Sequence, residues 1–290
     1  MTRPGALQAW LFMAPALVLL ALFSLWPVVF GSYLAFTDYS LIRPTAWVGL
    51  DNFRYIFDND MFVGGLKNSL LFLLMVPFVQ LGALALAVLV NQRLPGMRYF
   101  RAAYYVPVVT TVSVVGIMWG FMFHERGTLN YVLLTLRLVG APVGWLSNDT
   151  LALFAIMFVA LWRGLGWYMV MYLAALQAVP AEMQEAAMLD GANRWQRFWR
   201  ITVPMLRPTI MVCSILSVLA ALKAYQEVDV LTQGGPMNST FTALYYAYDQ
   251  GLKHLKLPRA LAASLVVSLF CIAIALLCLP YLKPKTGARR

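Results

Sequence analysis

Few residues in this chain could do chemistry. Its 290 residues hold 22 Lys and Arg, 12 Asp and Glu, and two histidines, His124 and His254. Both histidines fall near the ends of apolar runs, where neither is placed to pair with a serine in a facing helix. H-E-x-x-H and G-x-S-x-G are absent, and so is G-x-x-x-x-G-K-[ST], so the chain has no phosphate loop with which to hydrolyse ATP. Cys213, Cys271 and Cys278 lie in apolar runs with no C-x2-C spacing and read as buried thiols. What remains is a small set of polar groups inside apolar stretches. Arg163 is flanked by Trp162 and Trp167, with Tyr168 and Tyr172 close by. Lys223 and Glu227 stand four residues apart, with Tyr225 and Gln226 between them. Aromatic faces beside hydrogen-bonding groups suit a sugar, whose C–H faces stack and whose hydroxyls need partners. The same residues also fit interfacial aromatic belts and cations that snorkel or pair structurally.

A second set lies in the polar stretch 177–205. Pro180 suits the start of a helix, where its missing N–H costs nothing. Glu182 and Glu185 complement the dipole there, and Gly191 can supply the left-handed residue that stops it. The result is a short helix over about 181–190, with Met183, Ala186, Ala187 and Asp190 on one face. That face is small and smooth, so another surface can approach it closely. Glu185 could pair with a basic group of a partner or cap its own helix. Asn193 and Gln196 then read as a capping box opening a second short helix. There Trp195, Phe198, Trp199 and Thr202 form a stripe, while Arg194, Arg197 and Arg200 turn toward water or phosphates. This is the pattern of a helix lying in a membrane interface, with Pro204 and Pro208 bracketing the entry into the fifth span. An amphipathic connector with no partner would share these features.

The elements that must position these residues are membrane spans. Hydrophobic residues are 61% of the chain and charged residues 12%, against about a quarter charged in an ordinary soluble domain. Six apolar runs, 9–31, 67–91, 103–124, 151–176, 206–228 and 259–282, are each long enough to cross the hydrocarbon. The chain is thus expected to be all-α, a single integral domain over 1–290. The first run is too long for a signal-peptide core and reads as a retained helix. The formal charge of +10 then reflects the bias that orients spans rather than nucleic-acid binding. With the N-terminus inside, twelve Lys and Arg fall on inner segments and eight on outer ones, which favours both termini cytoplasmic.

The loop carries more than its physics. Glu185, Ala186, Ala187, Gly191, Ile201, Val203 and Pro204 match E-A-A-x3-G-x9-I-x-[LV]-P throughout, and Asp190 and Ala192 extend the match. The segment resembles the EAA loop of bacterial ABC importer permeases. Leu231-Thr-Gln-Gly-Gly-Pro236 is similar to the L-T-x-G-G-P signature of MalF-like permeases of carbohydrate importers. Trp119, the stretch Trp162–Gly164 and Val48–Phe53 also look like that family, and the likeness covers the whole chain. The chain departs from the pattern at Lys256–Ser264, where the family often has G-Y-A-A/S-A. The resemblance implies a type I importer. A second, MalG-like permease, an ATPase homodimer that binds the ATP and Mg, and an extracytoplasmic solute-binding protein would complete it, in the bacterial inner membrane. It implies that Glu185, Ala186, Ala187, Asp190 and Gly191 couple to the ATPase, that no cofactor resides in this chain, and that the cargo is a sugar. Glycerol 3-phosphate or another small polar solute is the alternative cargo. A secondary transporter would show more helices, internal repeats and a mid-membrane carboxylate.

Overall fold

The structure, a computed structural model, describes residues 6–282 except 41, 43 and 93. Arg3, Arg43, Arg93, Lys283, Lys285, Arg289 and Arg290, which weigh in the orientation, lie outside the described residues. The described chain is mostly helical and, among the described residues, has one isolated antiparallel bridge, between Thr37 and Trp47. Among the described residues five helices are long and apolar enough to cross a membrane: span 1 (Trp10–Leu34), span 2 (Asp60–Val90), span 4 (Asp149–Gln177), span 5 (Arg194–Leu222) and span 6 (Leu257–Cys278).

The third expected run differs. Instead of one helix over 103–124, the chain forms Met97–Val109 and Val112–Phe123, bent by 101° at the break. Pro107 lies inside the first half and removes the N–H that would bond one turn back. The β-branched pair Thr110 and Thr111 then turns extended, at ψ 135° and 146°. Span 2 starts seven residues before the expected 67, because Asn59 caps it by accepting from the Met61 N–H at 2.9 Å. Span 4 is capped likewise by Asn148, which accepts from the Thr150 and Leu151 amides.

Spans 2 and 4 form the centre. Small residues let them approach, as membrane helices require when no hydrophobic effect drives them together. A side chain at Gly164 would meet Val79, and one at Gly166 would run into the Tyr104 carbonyl of the broken span. Gln80, in an otherwise apolar run, is buried among them. It donates to the Ser217 hydroxyl at 2.9 Å and the Cys213 carbonyl at 3.1 Å, and accepts from the Tyr172 hydroxyl. Three spans are thereby tied at membrane depth. Arg101 donates twice to the Val90 carbonyl, at 3.0 and 2.7 Å, and so places a cation at the C-terminus of span 2.

After span 5 the chain folds back rather than looping out. Asn68 of span 2 donates to the Ser239 and Phe241 carbonyls at 2.7 and 2.8 Å. Ser69 accepts from the Ala243 amide, and Gly65 leaves room for the Thr242 backbone. Thr240, Thr242, Tyr245 and Tyr246 are fully buried. Lys253 donates to the Tyr245 hydroxyl at 2.7 Å and lies 3.7 Å from both Asp229 and Asp249. That hydrogen bond, helped by the two carboxylates, raises the Lys253 ammonium above the ordinary lysine range.

Candidate functional site

The stretch between spans 4 and 5 forms the expected short helix, Ala181–Leu189, with Pro180 at its N-cap. Its end is a complete Schellman motif. Gly191 takes φ +78°, its amide donates to Met188 O at 3.1 Å, and the Ala192 amide donates to Ala187 O at 2.9 Å. A Cβ at Gly191 would meet nothing within 4 Å, so backbone conformation alone selects glycine there. No residue of this helix is buried. Glu185, Ala186 and Asp190 are exposed, whereas Ala187 and Gln184 are half-buried. The most exposed apolar side chain is Leu189, 90% accessible, beside Met183 and Met188. Leu189 and Met188 were missed by the helical-face reading, which took Asp190 as part of the last turn. Among the described residues Glu185 has no ion-pair partner and forms no local cap. On its inner side Gln184 donates to the Thr202 hydroxyl of span 5 at 3.1 Å.

The capping box expected at Asn193 is present in both directions, at 2.8 and 2.9 Å. It does not open a separate interfacial helix. From Arg194 the chain runs without a break into span 5, through a π-helical turn over Phe198–Thr202. Pro204 causes no interruption because it falls at the first turn of the α-helix that follows. Trp195 and Trp199 are exposed, while Phe198 and Arg197 are half-buried and Thr202 is buried.

The second site is a cavity of about 410 Å³ between spans 2, 4 and 5. Of the residues read from sequence as a path, Arg163, Trp167, Tyr168 and Glu227 line it, joined by Ser217, Val79 and Gly164. Arg163 Nη1 donates to Glu227 Oε1 at 2.7 Å. This corrects the expectation that 206–228 is one helix with Lys223 and Glu227 on one face. Span 5 stops at Leu222, Lys223 caps it, and Tyr225 begins a new helix, Gln226–Leu231. That helix packs where Gly116 of the broken span leaves room for Val230. Glu227 is thus carried inward to mid-span 4, a carboxylate at membrane depth held by a partner.

The other path residues are elsewhere. Lys223 and Gln226 are exposed, away from the cavity lining. Tyr225 packs on Tyr248, centroids 5.6 Å apart. Trp119 is buried in a separate aromatic cluster with Phe123, Phe158 and Trp162. Tyr172, one turn along span 4 from Tyr168, is sealed by Gln80. Gln80 and Ser217 had escaped notice, although a lone glutamine in an apolar run was a usable signal.

Residues 10–285 match the family described as binding-protein-dependent transport system inner membrane component. The lactose transport system permease protein LacF of Rhizobium radiobacter is 34% identical over 249 residues, 83% of this chain and 82% of that protein. The sn-glycerol-3-phosphate transport system permease protein UgpA of Agrobacterium fabrum is 29% identical, covering 93% of each. The fold is that of a solved chain from a bacterial ABC transporter involved in the import of the acidic polysaccharide alginate, with TM-score 0.84, 23% identity and 97% of each chain covered. A match over nearly the whole chain, on a frame of spans with one exposed helical loop, makes this protein a member of the binding-protein-dependent transport system inner membrane components, an integral permease subunit of the inner membrane.

Proposed function

We propose that this permease forms, with a second permease, the path by which an uncharged sugar is imported, and that the cavity between spans 2, 4 and 5 is its half of that path. The observation that carries the reading is the Arg163–Glu227 pair. The cavity offers the aromatic faces of Trp167 and Tyr168, the Ser217 hydroxyl, and a cation whose charge is already matched. That suits hydroxyls and C–H faces better than a phosphate, which would compete with Glu227 for Arg163. The lactose permease among the relatives supports the same class. The UgpA likeness favours glycerol 3-phosphate as the second reading.

The exposed helix Ala181–Leu189 is the surface that meets a separate ATPase dimer, which holds the ATP and Mg. Its apolar patch of Met183, Met188 and Leu189, with Glu185 beside it, has little packing in its own chain. Ala186, Ala187, Asp190 and Gly191 fix its shape. Closure of the ATPases would move this helix as a rigid body. The Gln184–Thr202 bond and the uninterrupted run from Arg194 carry the motion into span 5, and so to the wall that holds Ser217, in a rocking transition. Both termini and this loop face the cytoplasm in this arrangement, and an extracytoplasmic binding protein delivers the cargo.

The test is a thermal-shift screen of the cognate binding protein against neutral sugars, sugar phosphates and amino acids, followed by uptake into vesicles holding the assembled transporter. Stabilisation by a neutral sugar and vanadate-sensitive uptake are expected. Stabilisation by glycerol 3-phosphate alone would move the assignment to the second reading, and uptake independent of ATP would overturn both.

A further inference from the structure

Arg194 and Arg197 take no part in the docking or translocation geometry. They line a second cavity, of about 390 Å³, together with Val88 and Asn91 at the end of span 2, Leu176 and Val179 at the end of span 4, and Gln184, Phe198 and Thr202. Neither arginine has a carboxylate partner among the described residues, and the Arg197 Nε–H is buried with no acceptor there. A guanidinium held that way is a donor set for an oxyanion. Val88, Leu176 and Phe198 give the cavity apolar walls. Phe198 packs on Trp195 and Trp199, 69% and 48% exposed, side chains that favour the headgroup level of a bilayer. Basic groups, apolar walls and neighbouring aromatics coincide at the ends of three spans, where lipid headgroups lie.

We infer that this cavity is a binding site for the headgroup phosphate of an anionic phospholipid. Arg194 and Arg197 would hold the phosphate, and the acyl chains would descend past Val88 and Leu176. An acidic side chain of a partner protein would satisfy the arginines but leave the apolar walls and the neighbouring exposed tryptophans without a role. Gln184 and Thr202 line the same cavity and bond to each other, so an occupied site braces the loop helix against span 5. The lipid would then set how firmly ATPase motion is passed on. The inference depends on the membrane placement of the chain and not on its cargo.

Native mass spectrometry of the transporter, purified with its partner subunits and stripped of lipid, tests this by titration with phosphatidylglycerol, phosphatidylcholine and inorganic phosphate. Wild type is expected to retain phosphatidylglycerol over phosphatidylcholine by on the order of tenfold. The Arg194→Gln/Arg197→Gln variant should lose that preference, and Arg207→Gln, with its change on the same helix outside the cavity, should keep it. Equal retention of the two lipids by wild type would overturn the site. So would a preference that survives in the double variant, or one abolished equally by Arg207→Gln. Displacement of the lipid by millimolar phosphate would make the ligand a free anion and reject the lipid. Should the double variant fail to assemble, Arg197→Lys keeps the charge without the planar fork, and an unchanged preference there together with equal retention by wild type of phosphatidylglycerol and phosphatidic acid would still mark a phosphate-directed site, whereas a preference for phosphatidylcholine would reject it.

Discussion

The loop between spans 4 and 5 and the segment between spans 5 and 6 are of opposite construction. The first has a helix with no buried residue, held by its own caps and by a single side-chain bond to span 5. The second is folded into the protein, with Thr240, Thr242, Tyr245 and Tyr246 wholly buried and its backbone held by residues some 170 positions earlier, Asn68 and Ser69. The loop helix keeps its apolar side chains outside and secures its shape locally. A segment that carries Glu227 to a cavity draws its shape from long-range contacts. The first can therefore be disturbed without unfolding the permease, and the second cannot.

The largest effect is expected at Glu227. Replacing it with Gln leaves Arg163 as an unpaired cation in a mostly buried place, and breaking such a pair costs about 2–4 kcal/mol after allowance for partial exposure. Thermal unfolding in detergent should show the loss, and Arg163→Met with Glu227→Met should recover most of it. A single variant as stable as wild type would remove the pair from the account of the cavity. Next is Asn68→Ala, which frees two carbonyls of the folded-back segment at about 1–2 kcal/mol each. Limited proteolysis should then cut within 232–242, and resistance equal to wild type would show that the segment is held by other contacts.

Gly191→Val tests the opposite side of the contrast. A β-branched residue at φ +78° is strained by about 1–3 kcal/mol, but nothing crowds its side chain. Stability of the permease should fall by no more than that strain while uptake falls about tenfold or more, since every 1.4 kcal/mol of displaced docking equilibrium is a factor of ten. A large drop in melting temperature with normal uptake would falsify the division of labour between the two regions. The smallest effect belongs to Asn193→Ala, which removes one half of the capping box at about 1 kcal/mol. Coupling efficiency, read as sugar imported per ATP hydrolysed, should decline modestly, and a complete loss would mean that Asn193 contacts the ATPase directly.

The two regions also differ in how far the amino-acid order reveals them. The loop helix, its left-handed stop at Gly191, the capping box at Asn193 and the apolar runs could all be read in advance. Each rests on neighbours within four residues, or on the hydrocarbon itself, which accepts any helix that is long and apolar enough. Several boundaries were misjudged, two of them because hydropathy is blind to a bend or an early stop. Val112 continues the apolar run begun at Ala103, yet Pro107 and two extended threonines bend the chain. Hydropathy likewise ran on to Val228, although span 5 ends at Leu222.

Residue types and spacing were enough to establish a helical membrane permease with an exposed loop helix, because helix caps, glycine backbone freedom and span length are local properties. Tertiary structure alone paired Arg163 with Glu227, set Gln80 between Tyr172 and Ser217, moved Trp119 and Lys223 away from the cavity, and turned Arg197 toward Val88 and Leu176. Those outcomes depend on which faces of spans 2, 4 and 5 meet. Helix faces in a membrane are chosen by close packing and by satisfying buried polar groups between residues far apart in the chain, and no spacing within one segment records that choice.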